Sequence, residues 1–299
     1  MFLQPTSIAD ALMAKAQWGN AAAFLAGGTD LVVLINHGRM PARVFIDLSH
    51  IPGLAQIERR PADEFAGDPL TAYMDAREAY ICGALTTFAQ LARLPVRALA
   101  EAARSVGGPQ IRNRGTIAGN LATASPAGDG STALLALDAR VEVQSLSATR
   151  VIPLREFFLD YRKTAIAPDE MIIRVAFPAT WQTGWRKLGK RGAMNISTVC
   201  CAVGISESGR VHVSFGSVGP YPLRAERTGE YLTQALASEP DALADPQVQE
   251  KAASLAREEV RPIDDFRASA EYRRAMSGTL LIKVLRQLAD ERAASFASR

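Results

Sequence analysis

Ala23-Phe24-Leu25-Ala26-Gly27-Gly28-Thr29-Asp30-Leu31 is a short apolar run that stops at two glycines and restarts in a hydroxyl, a carboxylate and an apolar residue. The run reads as a strand, the glycines as a tight turn, and Thr29 or Asp30 as the cap of a helix through Leu31, Val32, Leu34 and Ile35. A strand leading through glycines into a helix start brings backbone N–H groups together, and such convergent amides suit an anion. Asp30 would repel a phosphate, so its side chain is assigned to capping the helix. On either side the same unit continues. Ser7-Ile8-Ala9-Asp10 fits a capping box, with Asp in the place of Glu, ahead of a first helix. Val44-Phe45-Ile46-Asp47 reads as a strand, and Pro52-Gly53 closes the unit.

Further along, residues from about Glu58 to Asp75 are polar and suggest a weak hairpin, and Ala79 to Gly83 is strand-like. Thr86 is placed to cap a helix through Phe88, Leu91 and Leu94, followed by another from Val96 to Ser105. The stretch from Gly107 to Asn120 is glycine-rich and polar, without a helical period. Beyond it, Thr123-Ala124-Ser125-Pro126-Ala127-Gly128-Asp129 offers hydroxyls and small residues fit to wrap a polar, extended ligand, with Asp129 able to accept from ribose hydroxyls. A helix of small and apolar residues follows from Ser131 to Leu137. Then the period changes to two around Val141-Glu142-Val143-Gln144 and around Ile173 to Phe177. After a boundary at Pro178 to Thr183, strands are expected at Trp185 to Leu188, Val199 to Ile205 and Val211 to Gly216, with a helix from Tyr272 to Asp290. The coarse class is α+β.

Composition narrows the function. Of 299 residues, 48% are hydrophobic, which is ample for a core and excludes disorder. With 34 basic against 31 acidic residues the net charge is +3, too little for a phosphate-tracking stripe, so no nucleic acid is expected as a partner. No apolar run is long enough to span a membrane, and Met1 to Pro5 does not begin a signal peptide. Three cysteines, Cys82, Cys200 and Cys201, argue against a disulfide framework and for a reducing compartment, hence the cytoplasm. They are too few for an iron–sulfur cluster, and His37, His50 and His212 have no metal-ligand spacing, so no metal is expected on this chain. There is no G-x-G-x-x-G and no Walker lysine. Catalytic serine motifs are missing too, and no catalytic residue is assigned.

The order and spacing of Leu25-Ala26-Gly27-Gly28-Thr29-Asp30-Leu31, Gly108-Pro109-Gln110-Ile111-Arg112-Asn113 and Thr116-Ile117-Ala118-Gly119-Asn120 through Asp129 resemble one family. So do Tyr161-Arg162-Lys163-Thr164, Pro168-Asp169-Glu170 and Lys187-Leu188-Gly189-Lys190-Arg191. Across essentially its whole length the chain is similar to the FAD-binding (medium) subunit of the xanthine dehydrogenase, or molybdenum hydroxylase, family. The resemblance implies a PCMH-type FAD-binding domain of the vanillyl-alcohol-oxidase class over residues 1–177, in two α/β subdomains of about 1–57 and 58–177. A smaller α+β domain of the CO dehydrogenase flavoprotein type would cover 178–299. It further implies that Phe24, Leu25, Ala26, Gly27, Gly28, Thr29, Asp30 and Leu31, with Thr116, Ile117, Ala118, Gly119 and Asn120, wrap the FAD pyrophosphate. Val106, Thr123 and Ser125 join the cofactor set, Asp129 touches the adenosine half, Ile172 lines the flavin or adenine pocket, and Lys187 lies near the flavin edge.

By the same resemblance the FAD is held non-covalently, and the partners are a large molybdopterin-binding subunit and a small subunit with two [2Fe-2S] clusters. Together they would form a heterotrimer or a dimer of heterotrimers. Electrons would enter from the clusters and leave for NAD+ or another acceptor, and xanthine, another N-heterocycle, an aldehyde, an aromatic thioester or CO would bind on the large subunit. Met194-Asn195-Ile196-Ser197-Thr198 leans towards the purine and N-heterocycle branch. Two departures stand out: Ala118 replaces a glycine common in relatives, and Asn195 stands where related chains carry an acid. The competing readings are a stand-alone flavoenzyme of the same superfamily and a non-catalytic assembly protein with purely structural loops.

Overall fold

The computed structural model describes residues 1–192 and 194–297. The chain opens with β1 (Phe2–Leu3), α1 (Ile8–Trp18), β2 (Ala22–Leu25), α2 (Leu31–Asn36) and β3 (Val44–Asp47). These make a three-stranded parallel sheet in the order β1-β3-β2. Ser7 begins α1 by accepting the Asp10 N–H at 3.1 Å, while its hydroxyl donates to the Asp10 carboxylate at 2.7 Å. Asp10 therefore fills its box position by holding the serine rather than a backbone amide.

The next unit holds β4 (Ile57–Pro61), β5 (Glu78–Gly83), α3 (Phe88–Leu91), α4 (Arg97–Ser105), α5 (Pro109–Arg114), α6 (Ile117–Thr123), α7 (Asp129–Ala136), β6 (Arg140–Gln144), β7 (Thr149–Pro153), β8 (Phe158–Asp160), β9 (Lys163–Thr164) and β10 (Met171–Pro178). Five of the strands form an antiparallel sheet in the order β4-β5-β10-β6-β7, while β8 and β9 pair separately. Three expectations change here. The polar stretch from Glu58 to Asp75 is not a hairpin. Its start is β4, which joins β5, and the remainder is pinned by Asp68, whose carboxylate receives Arg60 at 2.7 Å, Arg174 at 3.2 Å and the Leu70 N–H at 3.0 Å. The cap of α3 is Thr87, not Thr86, because Thr87 and Gln90 exchange the two bonds of a capping box. And the glycine-rich stretch from Gly107 to Asn120 contains two helices. Pro109 starts α5 with its preset φ, and Thr116 caps α6 by accepting the Gly119 N–H at 3.1 Å.

The last unit is a four-stranded antiparallel sheet of β11 (Gln182–Leu188), β12 (Val199–Ile205), β13 (Val211–Gly216) and β14 (Leu223–Arg224), followed by α8 (Glu226–Ser238), α9 (Pro246–Glu259) and α10 (Ala270–Ala297). The unbroken apolar run Val199-Cys200-Cys201-Ala202-Val203 has a simple cause. In β12, Cys200 and Ala202 face the core shared with α4 and α7, whereas Val199, Cys201 and Val203 face the core built with α8, α9 and α10. Both faces are covered, so both parities must be apolar. Among the described residues no helix is long and apolar enough to cross a membrane.

One buried cluster makes stability depend on pH. His212 on β13 stacks on Trp181, with centroids 5.0 Å apart and planes 10° from parallel, and Arg224 donates to its Nδ1. Burial first, and the Arg224 charge second, push its pKa down from 6.5 to about 4. The folded chain therefore holds His212 neutral, while the unfolded chain takes up a proton below pH 6.5. This contribution is complete above pH 6.5 and is lost as pH falls towards 4, about 2 kcal/mol of it by pH 5. Asp138, beside the same arginine, acts in the same direction: burial raises its pKa, but Arg224 and His212 outweigh that and leave it lowered. Thermal unfolding at pH 7 and pH 5 should show a lower midpoint at pH 5, and His212→Asn should flatten the difference. Equal pH dependence in both proteins would contradict this.

Candidate functional site

Two cavities meet along residues 105–115. The first, about 530 Å³, lies between the parallel-sheet unit and the second unit. On one side it is lined by Phe24, Ala26, Gly27, Gly28, Thr29, Asp30 and Leu31, on the other by Val106, Ile111, Gly115, Thr116, Gly119, Asn120 and Thr123. Its two walls touch at Gly27, where a Cβ would sit 1.8 Å from the Arg114 carbonyl oxygen. Glycine is required there because two main chains meet. Gly28 follows with φ +75°, a turn that also favours glycine.

After that turn the Gly28 carbonyl accepts the Val32 N–H at 3.0 Å and the Asp30 carbonyl accepts that of Leu34 at 3.2 Å. Among the described residues, the N–H groups of Gly28, Thr29, Asp30 and Leu31 donate to no carbonyl or side chain. Four donors thus stand free at one rim of the cavity. The second loop differs. Ile117 donates to Thr86, Ala118 to Ala84, Gly119 to the Thr116 hydroxyl and Asn120 to the Thr116 carbonyl. Its amides are spent on Ala84 and Thr86 and on its own N-cap Thr116, and it presents to the cavity the Gly119 backbone and the side chains of Asn120 and Thr123.

Asp30 does not cap α2, contrary to the sequence expectation. It occupies the N-cap position without a side-chain bond to the helix. Its carboxylate instead accepts the Thr123 hydroxyl at 3.2 Å and faces Arg162 at 3.8 Å. Arg162, in the turn between β8 and β9, lines the same cavity, as do Leu34, Met40 and Phe88. The motif Tyr161-Arg162-Lys163-Thr164 was visible in the sequence, but the place its arginine reaches depends on a hairpin folding back over the first unit.

The second cavity, about 830 Å³, lies between α4, residues 107–112, β11 and the following loop. Lys187 and Asn195 line it with Arg104, Arg112, Arg186 and Arg191. Here Asp129 and Lys187, 58 positions apart, form a buried ion pair at 2.6 Å. Asp129 also receives the Ser105 hydroxyl at 3.1 Å and that of Ser197, and Lys187 donates to the Asn195 carbonyl at 2.9 Å. Asp129 lines neither cavity. Asn195 donates its side-chain amide to the Arg191 carbonyl, a bond that an acid at this position could not make. Of the other residues named from the sequence, Ile117, Ala118 and Ile172 are buried in the core behind the walls. Leu25 packs at the end of β2, and Ser125 accepts the Ala127 N–H at 3.3 Å outside both cavities. Ala118 is helical in α6, so the alanine carries no positive-φ strain.

The three thiols are buried, and burial pushes those of Cys82 and Cys200 up to about 12. Among the described residues no group of three or more His, Cys, Asp or Glu side chains is arranged to hold a metal.

Fold and cavities define a class of protein with free backbone donors at a cleft between two α/β units, and a second cavity where a third unit meets them. Residues 1–180 match the FAD-binding domain in molybdopterin dehydrogenase, and residues 185–288 match the CO dehydrogenase flavoprotein C-terminal domain. The nicotinate dehydrogenase FAD-subunit of Eubacterium barkeri is 36% identical over 229 residues, covering 71% of this chain and 72% of that one. The carbon monoxide dehydrogenase medium chain of Hydrogenophaga pseudoflava is 30% identical over 289 residues, 94% of each. A solved structure of the latter enzyme, in a form lacking the Mo-pyranopterin moiety of its molybdenum cofactor, superposes with a TM-score of 0.82 at 27% identity over 97% of both chains. The chain belongs to the FAD-binding subunits of the molybdenum hydroxylase family, and is thus a flavoprotein subunit of an oxidoreductase.

Proposed function

We propose that this chain is the electron-transfer subunit of a three-part molybdenum hydroxylase, with FAD held non-covalently across the two cavities. The observation that carries the reading is the row of free N–H groups from Gly28 to Leu31, held open by the contact of Gly27 with Arg114. Unpaired amides beside a cavity are costly unless an acceptor or water meets them, and a diphosphate supplies several acceptors. Phe24, Ala26, Gly27, Gly28, Thr29, Asp30, Leu31, Val106, Thr116, Gly119, Asn120 and Thr123 would line the phosphate-bearing end. Leu25, Ile117, Ala118, Ser125 and Ile172 hold those residues in place from behind. Lys187, paired with Asp129, stands at the second cavity, where the isoalloxazine end would lie.

Bound there, FAD supplies the exchange between one-electron and two-electron transfer, while the protein binds, orients and shields it. Electrons would arrive from [2Fe-2S] clusters on a small subunit and leave for NAD+ or another acceptor. The substrate, an N-heterocycle, an aldehyde or CO, would bind on a large molybdopterin subunit. A division of the chain near Pro178 separates the FAD-binding part from the C-terminal part in this reading, and unpaired buried thiols favour the cytoplasm. Co-expression with large and small partner chains should yield a complex containing molybdenum, iron and a flavin spectrum, with the flavin freed by acid precipitation. A colourless complex overturns the proposal, and flavin that stays on the precipitated chain overturns its non-covalent part.

A further inference from the structure

Arg162 occupies the turn between β8 and β9 with φ +53°, a backbone region that side chains other than glycine seldom adopt. From there it reaches the first unit, and its Nη1 stands 3.8 Å from the Asp30 carboxylate. Among the described residues lining the 530 Å³ cavity, Arg162 and Asp30 are the only charged ones. The two side chains are 46% and 49% exposed, so their attraction is worth at most about 1 kcal/mol and parts easily. An anion entering beside Gly28 to Leu31 would meet the negative charge of Asp30 with no other positive side chain in the cavity to offset it. A guanidinium matches phosphate oxygens with two parallel N–H bonds and retains its charge at all working pH values.

We propose that Arg162 is the cationic arm of the diphosphate site, parked on Asp30 until phosphate arrives and then shared with it. The inference rests on the FAD reading of the cavity and adds a residue to it. The arm comes from a different unit than the amides, so binding the phosphates also fastens the β8–β9 hairpin over the cavity.

Apoprotein stripped of flavin and titrated with FAD, with ADP and with riboflavin, which has no phosphate, tests this directly. Arg162→Gln should weaken FAD binding about tenfold or more at low salt, since a charge-assisted bond is lost. Arg162→Lys should keep part of the affinity, and the loss in Arg162→Gln should narrow at 1 M salt. Riboflavin binding should be the same in all three proteins. Unchanged FAD binding by Arg162→Gln, or an equal loss for riboflavin, overturns the role of Arg162 alone. A parent protein that binds neither FAD nor ADP overturns the cavity reading as well.

Discussion

Gly27→Ala should produce a protein that no longer retains flavin through purification. The added Cβ would lie 1.8 Å from the Arg114 carbonyl oxygen and 2.7 Å from its carbon. Both are main-chain atoms, so no rotamer change relieves the clash, and the two loops must separate. Overpacking of this kind costs about 1–3 kcal/mol, more where backbone has to move. The functional loss should exceed the loss in stability, because the contact sets the width of the cavity beside the free amides of Gly28 to Leu31. An opened cradle places those donors too far from an acceptor that must touch several of them at once. Gly219→Ala is the matched control, since a Cβ there meets only the Tyr221 carbonyl at 3.6 Å. The measurements are flavin content per chain and the thermal midpoint of the apoprotein. A Gly27→Ala protein as yellow and as stable as the parent would show that the loops need not touch.

That contact also marks where sequence reading ended. The glycine pair after Leu25 could be read as a turn beside a strand, because the signal is local and its residues are adjacent. What Gly27 touches could not, because Arg114 lies on another unit. Short helices escaped for a related reason. α5 and α6 span six and seven residues, less than two full turns, so no apolar period has room to develop. Their starts were still marked, by Pro109 after Gly108 and by Thr116 three residues before Gly119. Adjacency alone points the Asp30 carboxylate to capping. Its actual partners, Thr123 and Arg162, are brought to it by folding. The strands of the second and third sheets were legible wherever their period was two, as at Val141 to Gln144. Residues Glu58 to Asp75 were not, since their order comes from the contacts of Asp68 with Arg60 and Arg174 rather than from any repeating pattern.

Asp129 raises the sharpest question, because the family resemblance implies a place on the adenosine half of FAD while its carboxylate is already engaged. The side chains of Asp129 and Lys187 are 7% and 10% exposed, and Ser105 and Ser197 supply further donors to the carboxylate. Removing one member leaves a buried charge without its partner. Asp129→Leu and Lys187→Met should therefore each destabilise the chain by about 3–5 kcal/mol. The double variant Asp129→Leu with Lys187→Met should lose less than the sum, by a coupling of about 0.5–3 kcal/mol, because neither charge is then stranded. Urea unfolding of the three apoproteins gives these values, and flavin titration of the refolded proteins assigns the role. If the pair mainly braces the wall shared by α4, α7 and β11, the double variant recovers FAD affinity together with stability. If Asp129 leaves Lys187 to hold a ribose hydroxyl when FAD binds, the double variant regains stability but not affinity. The geometry favours the first outcome. For Asp129 to reach a ligand it would have to give up a 2.6 Å bond to Lys187 and the hydroxyls of Ser105 and Ser197, with its side chain only 7% exposed.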